Sequence, residues 1–161
     1  MKHKFICLIA LLACTSAFAG DEDIPNRFAS LKIKDGELLY KNHPMTPALH
    51  GNDSLTAVGT YQIANSDVIL LQDNGGSGCP AMFYFITVSS TGIKAVGEFG
   101  TCSPVVQVKK TSDTIIVNMS EFMGDMERDA GSHRRMDKET FIFKNGVVTQ
   151  NGVPVKLIKG Y

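Results

Sequence analysis

The 161-residue chain has no tryptophan, only four cysteines, and charged side chains at 20% of its positions. Its 16 basic and 16 acidic residues cancel, so composition gives no electrostatic reason to expect nucleic acid or an anionic membrane as partner. Long hydrophobic runs are missing as well. The longest, Phe5 to Ala13, falls well short of the roughly 20 apolar residues that span a hydrocarbon layer. Catalytic and cofactor motifs are equally scarce. In Gly75-Gly76-Ser77-Gly78-Cys79 a cysteine stands where a nucleophile elbow needs its last glycine, and no strand-turn-helix pattern follows. Asp73-Asn74-Gly75 opens like a calcium loop but lacks the later glutamate. No lysine follows the glycines to make a phosphate cradle, and His43, His50 and His133 have no spacing that sets two imidazoles on one metal. The expectation is a protein without catalytic residues, metal or cofactor.

What is present begins with an address. Met1-Lys2-His3-Lys4 is a short basic start, the apolar run follows, and Ala17-Phe18-Ala19 sets small residues where a signal peptidase reads them. Residues 1–19 are therefore expected to be a signal peptide, and residues 20–161 a single β-rich domain in the periplasm or outside the cell. The alternative is lipidation at Cys14, since Leu11-Leu12-Ala13-Cys14 resembles the lipobox of outer-membrane lipoproteins. Cleavage after Ala19 is favoured because Gly20 and the acidic Asp21-Glu22-Asp23 then begin the mature chain. Loss of Lys2 and Lys4 brings the net charge to about −2.

The same cleavage removes Cys7 and Cys14 and leaves an even pair, Cys79 and Cys102, for an oxidising compartment. The midpoint of the pair falls between Ser90 and Thr91, inside a turn-like stretch separating two strand-like runs. A hairpin folded there sets the cysteines opposite each other, at a Cα separation a disulfide tolerates. Pro80, Gly97 and Gly100 are positions where a bulge would shift that register.

Strand signals fill the rest of the chain, with no convincing helix. Asp67 to Gln72, Ala81 to Val88 and Thr114 to Met119 stay apolar on consecutive positions, as strands covered on both faces do. Val106 to Lys109 and Phe141 to Lys144 alternate, as half-exposed strands do. Turn signals at Asp35-Gly36, Ala64-Asn65-Ser66, Asn74-Gly75-Gly76, Ser112-Asp113, Asn145-Gly146 and Asn151-Gly152 separate them. The expected fold is mainly β: one antiparallel meander forming a sandwich or a partly open barrel, tied by one disulfide. Lys34 to Pro44 also echoes Lys144 to Pro154, each reading as turn, strand, turn and a proline-bearing edge. Two copies are too few for a repeat architecture, but they imply matching ribbons at the two ends of the domain.

One stretch breaks the β pattern. Glu121 to Lys138 concentrates charge of both signs and reads as the longest exposed connection, which inside a small domain usually has a function. Phe122 and Met123 are its apolar candidates for partner contact, and Arg128, His133, Arg134 and Arg135 its polar ones. Met119, Met123, Met126 and Met136 with His133 form a sulfur-rich group of a kind that holds Cu(I), although methionine more often fills core gaps.

The run Leu71 to Ala81, with the aromatic strand after it and Phe99-Gly100-Thr101-Cys102-Ser103, resembles short exported bacterial proteins. In size, leader, single disulfide and β-rich pattern the chain is similar to periplasmic lysozyme inhibitors and to immunity proteins that guard against cell-wall-degrading toxins. That resemblance implies a binding protein that blocks a partner enzyme, and it carries over no individual residues. The other expectations kept open are a small-ligand or copper-binding periplasmic protein, and an enzyme whose residues leave no linear motif.

Overall fold

The structure, a computed structural model, describes residues 21–121 and 138–155. The leader, Cys14 and the stretch 122–137 lie outside them. All thirteen described elements are strands, and they pair antiparallel with their chain neighbours into three sheets. The first sheet holds β1 (Glu22–Asp23), β2 (Leu31–Lys34), β3 (Glu37–Tyr40) and β4 (His43–Pro44). The second holds β5 (Ser54–Ile63), β6 (Ser66–Asn74), β7 (Ala81–Ser89) and β8 (Gly92–Cys102). The third holds β9 (Val106–Lys110), β10 (Thr114–Ser120), β11 (Lys138–Lys144), β12 (Val147–Gln150) and β13 (Val153–Pro154). The sheets stack as a sandwich and do not close into a barrel.

The second sheet is the middle layer because its sequence leaves no polar face. Side chains alternate across a strand, so Ile69, Leu71, Tyr84, Ile86 and Val88 meet Leu31, Ile33 and Leu38 of the first sheet. The intervening Val68, Leu70, Phe83 and Phe85 meet Ile115, Val117, Phe141 and Phe143 of the third. Aromatic rings dominate this second interface: Phe85 lies 5.1 Å from Phe99 and 4.7 Å from Phe143, and Phe99 lies 5.1 Å from Phe141. Each such pair adds about 0.5 to 1.5 kcal/mol beyond the area it buries. β10 departs from expectation. Ile115, Val117 and Met119 are buried while Ile116 is only half-buried, because this strand belongs to an outer layer with one covered face.

The sequence echo is structural. β2, β3 and β4 and β11, β12 and β13 are the same three-stranded ribbon, laid on opposite faces of the middle sheet. Leu31, Ile33 and Leu38 of one occupy the buried places that Phe141, Phe143 and Val148 hold in the other. Each ribbon uses two two-residue turns in which both residues have positive φ: Asp35-Gly36 and Lys41-Asn42, Asn145-Gly146 and Asn151-Gly152. Asn, Asp and Gly tolerate that region, and its twist suits the flanking strands.

β5 is a ten-residue strand that no strong run announces. A bulge between Ala57 and Gly59 reverses its facing, so Leu55 and Ala57 pack toward the first sheet while Tyr61 and Ile63 pack toward the third. One phase of alternation therefore never runs long enough to be read. Partial burial raises the pKa of the Tyr61 phenol above its ordinary value, because the phenolate loses solvation there. Another feature without a sequence signal is Arg27. Its backbone N–H and its Nε donate to the two oxygens of Asp67, at 2.6 and 2.8 Å, and Asp67 is only 1% exposed. This clamps the N-terminal loop to β6 and satisfies a charge that would be costly to bury alone.

Cys79 and Cys102 are joined, with Cα atoms 4.7 Å apart. The hairpin turn sits at Ser90 and Thr91 as expected, and Ser89 pairs with Gly92. The register drifts further along: Tyr84 pairs with Gly97, Phe83 with Phe99 and Ala81 with Cys102. Two bulges in β8 thus set Cys102 opposite Ala81, and Cys79 reaches it from the loop before β7. Gly97 has no substitute there, since an added Cβ would lie 2.5 Å from Tyr84 Cδ1 and 2.9 Å from the Phe83 carbonyl oxygen.

The edges of the two outer sheets are blunted. β1, β4 and β13 are two residues long, two of them carrying proline, and β9 ends in Lys109-Lys110. No helix among the described residues is long and apolar enough to cross a membrane. Because the cross-link closes a loop of sequence separation 23, replacing both cysteines by serine is expected to lower unfolding free energy by about 3 kcal/mol. Chemical denaturation of the oxidised protein and the double variant measures it, and an unchanged midpoint would contradict the staple.

Candidate functional site

The two ends of the sandwich differ. At one end, which we term the hairpin end, the connections of the second and third sheets are short: Ala64-Asn65, Ser90-Thr91, 111–113 and Asn145-Gly146. Lys144 Nζ lies 2.8 Å from Asp113 Oδ2 there and holds that carboxyl below its usual range, chiefly through their hydrogen bond. At the opposite, disulfide end the chain makes its irregular connections, at 50–53, 75–80 and 103–105. The stretch between Glu121 and Lys138 also leaves and re-enters the third sheet there, where Ser120 pairs with Lys138.

These connections are stitched into the framework by side chains placed at strand ends. Asn74, the last residue of β6, accepts from Gln72 Nε2 at 2.6 Å and donates to Ser54 Oγ and Thr56 Oγ1, each at 2.9 Å. Its carbonyl accepts the Asp53 N–H at 2.8 Å. Asp73, buried beside it, accepts the Asn52 N–H at 2.6 Å, and the Gly51 N–H donates to the Gly36 carbonyl at 2.9 Å. The glycine-rich loop closes on itself through Gly75 N–H to the Pro80 carbonyl and Cys79 N–H to the Gly76 carbonyl. Thr101 Oγ1 donates to the Ser120 carbonyl at 2.6 Å, which ties the root of the 121–138 connection to the middle sheet. Ordering these loops in advance lowers what a partner must supply on binding.

Among the described residues, charge at this end is mainly negative. Glu37, Asp53, Asp73, Glu98, Glu121 and Glu139 lie at or beside it, against Lys34 and Lys138, and Lys34 is 3.9 Å from Asp21. A shallow polar groove of about 390 Å3, lined by His50, Asn52, Asp73, Cys79, Met82 and Glu98 among others, opens between the loops. Val105, 70% exposed, is an apolar side chain on the adjoining loop.

Of the candidate site residues, Cys79 and Cys102 are brought together. Phe122, Met123, Arg128, His133, Arg134 and Arg135 lie outside the described residues, and only the roots of their segment can be placed. Met119, part of the sulfur-rich group, fills the core at 2% exposure, while Met123, Met126 and Met136 also lie outside. His50 Nε2 is 3.2 Å from Glu37 Oε1, opposite β3, and His43 pairs with Tyr40 at the other end of that strand, so the topology separates the two imidazoles. No group of three or more His, Cys, Asp or Glu suited to a metal exists among the described residues. Ser77 stands exposed in the glycine loop, which leads into β7 rather than a helix. The hydrogen-bond hub at Asn74 escaped sequence reasoning, because its partners come from residues 18 to 20 positions away that no local pattern links to it.

Asp73→Ala is expected to free the Asn52 amide and loosen loop 50–53, at a cost of about 1 to 3 kcal/mol. Amide exchange measures it: Asn52 and Asp53 should exchange faster while β7 is unaffected, and unaltered Asn52 exchange would contradict the role given to Asp73. Compared with protein-family models, with curated proteins and with solved structures, the chain has no significant match in any of the three.

Proposed function

We propose that the protein is an exported inhibitor or immunity protein, which blocks a partner enzyme such as a cell-wall hydrolase by presenting the loops of its disulfide end. The observation that carries this reading is the gathering of the irregular connections of the second and third sheets at one end of a cross-linked three-layer framework. A binding surface of that design needs no chemistry of its own; it needs loops that are already ordered and a shape the partner cannot avoid. The disulfide is compatible with an oxidising, exported compartment. Residues 1–19 act as the signal peptide in this reading.

The contact segment is the connection from Glu121 to Lys138, with Phe122 and Met123 as apolar anchors and Arg128, His133, Arg134 and Arg135 as polar ones. Its mixed charge sits on a mainly acidic end, which favours a partner surface carrying cationic side chains around an apolar centre. A wholly rim-exposed set of charges would affect association rate more than affinity, so the apolar anchors are assigned most of the binding energy.

Replacing residues 121–137 by a two-residue Asn-Gly turn leaves the Ser120 to Lys138 pairing able to close as a hairpin. The shortened protein is expected to keep its thermal midpoint within a few degrees and to lose capture of its partner from periplasmic extract. Partner recovery equal to that of the intact protein would remove the segment from the interface.

A further inference from the structure

At the hairpin end the middle and third sheets leave a groove of about 480 Å3 between them. Ile63, Val68, Thr87 and Lys94 of the middle sheet line one side, and Phe143 with the Asn145-Gly146 turn lines the other. The floor is apolar: Val68 and Phe143 are 1% and 3% exposed, with Ile63 half-buried beside them. The rim carries the hydroxyls of Ser66, Thr87, Ser89 and Thr91, of which Ser89 and Thr91 are 2.8 Å apart.

Charge selects among occupants. Among the described residues Lys94 is the only ionisable one lining the groove; it is exposed and forms no ion pair with another described residue. The nearby cations are engaged elsewhere, Lys144 by Asp113 and Arg27 by Asp67. A cationic ligand would meet Lys94 unshielded, a neutral hydrocarbon would leave the ammonium and hydroxyls without use, and a bare inorganic anion would leave the half-buried Ile63 uncovered. An anionic head on a short apolar tail satisfies all three features, and the volume falls within the range of small-molecule sites.

We propose that this groove binds a free single-chain carboxylate, the head on Lys94 and the rim hydroxyls and the tail along Ile63, Val68 and Phe143. The site lies at the end of the sandwich opposite the disulfide and stands independently of the inhibitor reading.

The test is an NMR titration of the purified protein with submicellar decanoate, alongside acetate and decyltrimethylammonium. Saturable shifts of Ile63, Val68 and Phe143 with decanoate, and none with the other two, are expected. Lys94→Glu should weaken decanoate binding about tenfold or more, whereas Lys110→Glu, on the edge strand β9, should leave it unchanged. Absence of saturable shifts at millimolar decanoate, equal binding of the cationic amphiphile, or an unaltered affinity in Lys94→Glu would overturn the proposal. Co-sedimentation with phosphatidylglycerol vesicles that Lys94→Glu abolishes, without binding of decanoate, would assign the groove to a membrane headgroup and overturn it equally.

Discussion

The middle sheet must be dry on both faces, because β6 and β7 set consecutive apolar side chains on opposite sides of the backbone. An antiparallel sheet ordinarily needs only one cover, with the other face left to water. Here Val68, Leu70, Phe83 and Phe85 on one side and Ile69, Leu71, Tyr84 and Ile86 on the other each require a partner layer. The chain supplies them from its two ends. The ribbon β2 to β4 covers one face and the ribbon β11 to β13, with β9 and β10, covers the other. At about 1.5 to 3 kcal/mol for each fully buried large side chain, neither face could be left open without a loss comparable to the net stability of a domain.

From this layering follows the division of labour between the ends of the sandwich. Hairpin turns built on Asn-Gly and similar pairs end the strands where nothing further is required. Apart from the 24–30 loop, which Arg27 clamps to Asp67 and Ser66 near the hairpin end, the irregular connections lie at the disulfide end, where Asn74, Asp73 and Thr101 hold neighbouring loops from the ends of β6 and β8. The Cys79–Cys102 bond adds a covalent tie at the same place. The proposed inhibitor surface draws on the loops held in position at this end, and the proposed carboxylate site on the groove between layers at the other.

Much of this was legible in the sequence, for reasons that can be assigned residue by residue. Val68 to Leu71 and Phe83 to Ile86 are apolar on successive positions, as doubly covered strands are. The turn pairs Asp35-Gly36, Asn145-Gly146 and Asn151-Gly152 occupy positive φ, where few other residues sit without strain. Thr114 to Met119 looked like another inner strand, yet Ile116 turned out to face outward on an outer layer, a distinction that depends on which sheet covers which. The drift of the Cys102 pairing came from bulges in β8, and β5 was hidden by its own bulge at Val58, which breaks the alternation that identifies a strand. For the functional site the sequence named the disulfide and the 121–138 excursion. It offered nothing on Asn74, Asp67 or Lys94, whose meaning lies in partners distant along the chain.

Native-state amide hydrogen exchange, read strand by strand, tests the layered account most directly. Amides of β6 and β7 should exchange only through global unfolding, and more slowly than those of β9 or β12 in the outer layer. The opposite order, with β6 and β7 opening as readily as the outer strands, would show that the middle sheet is not sealed between two covers and would contradict the account.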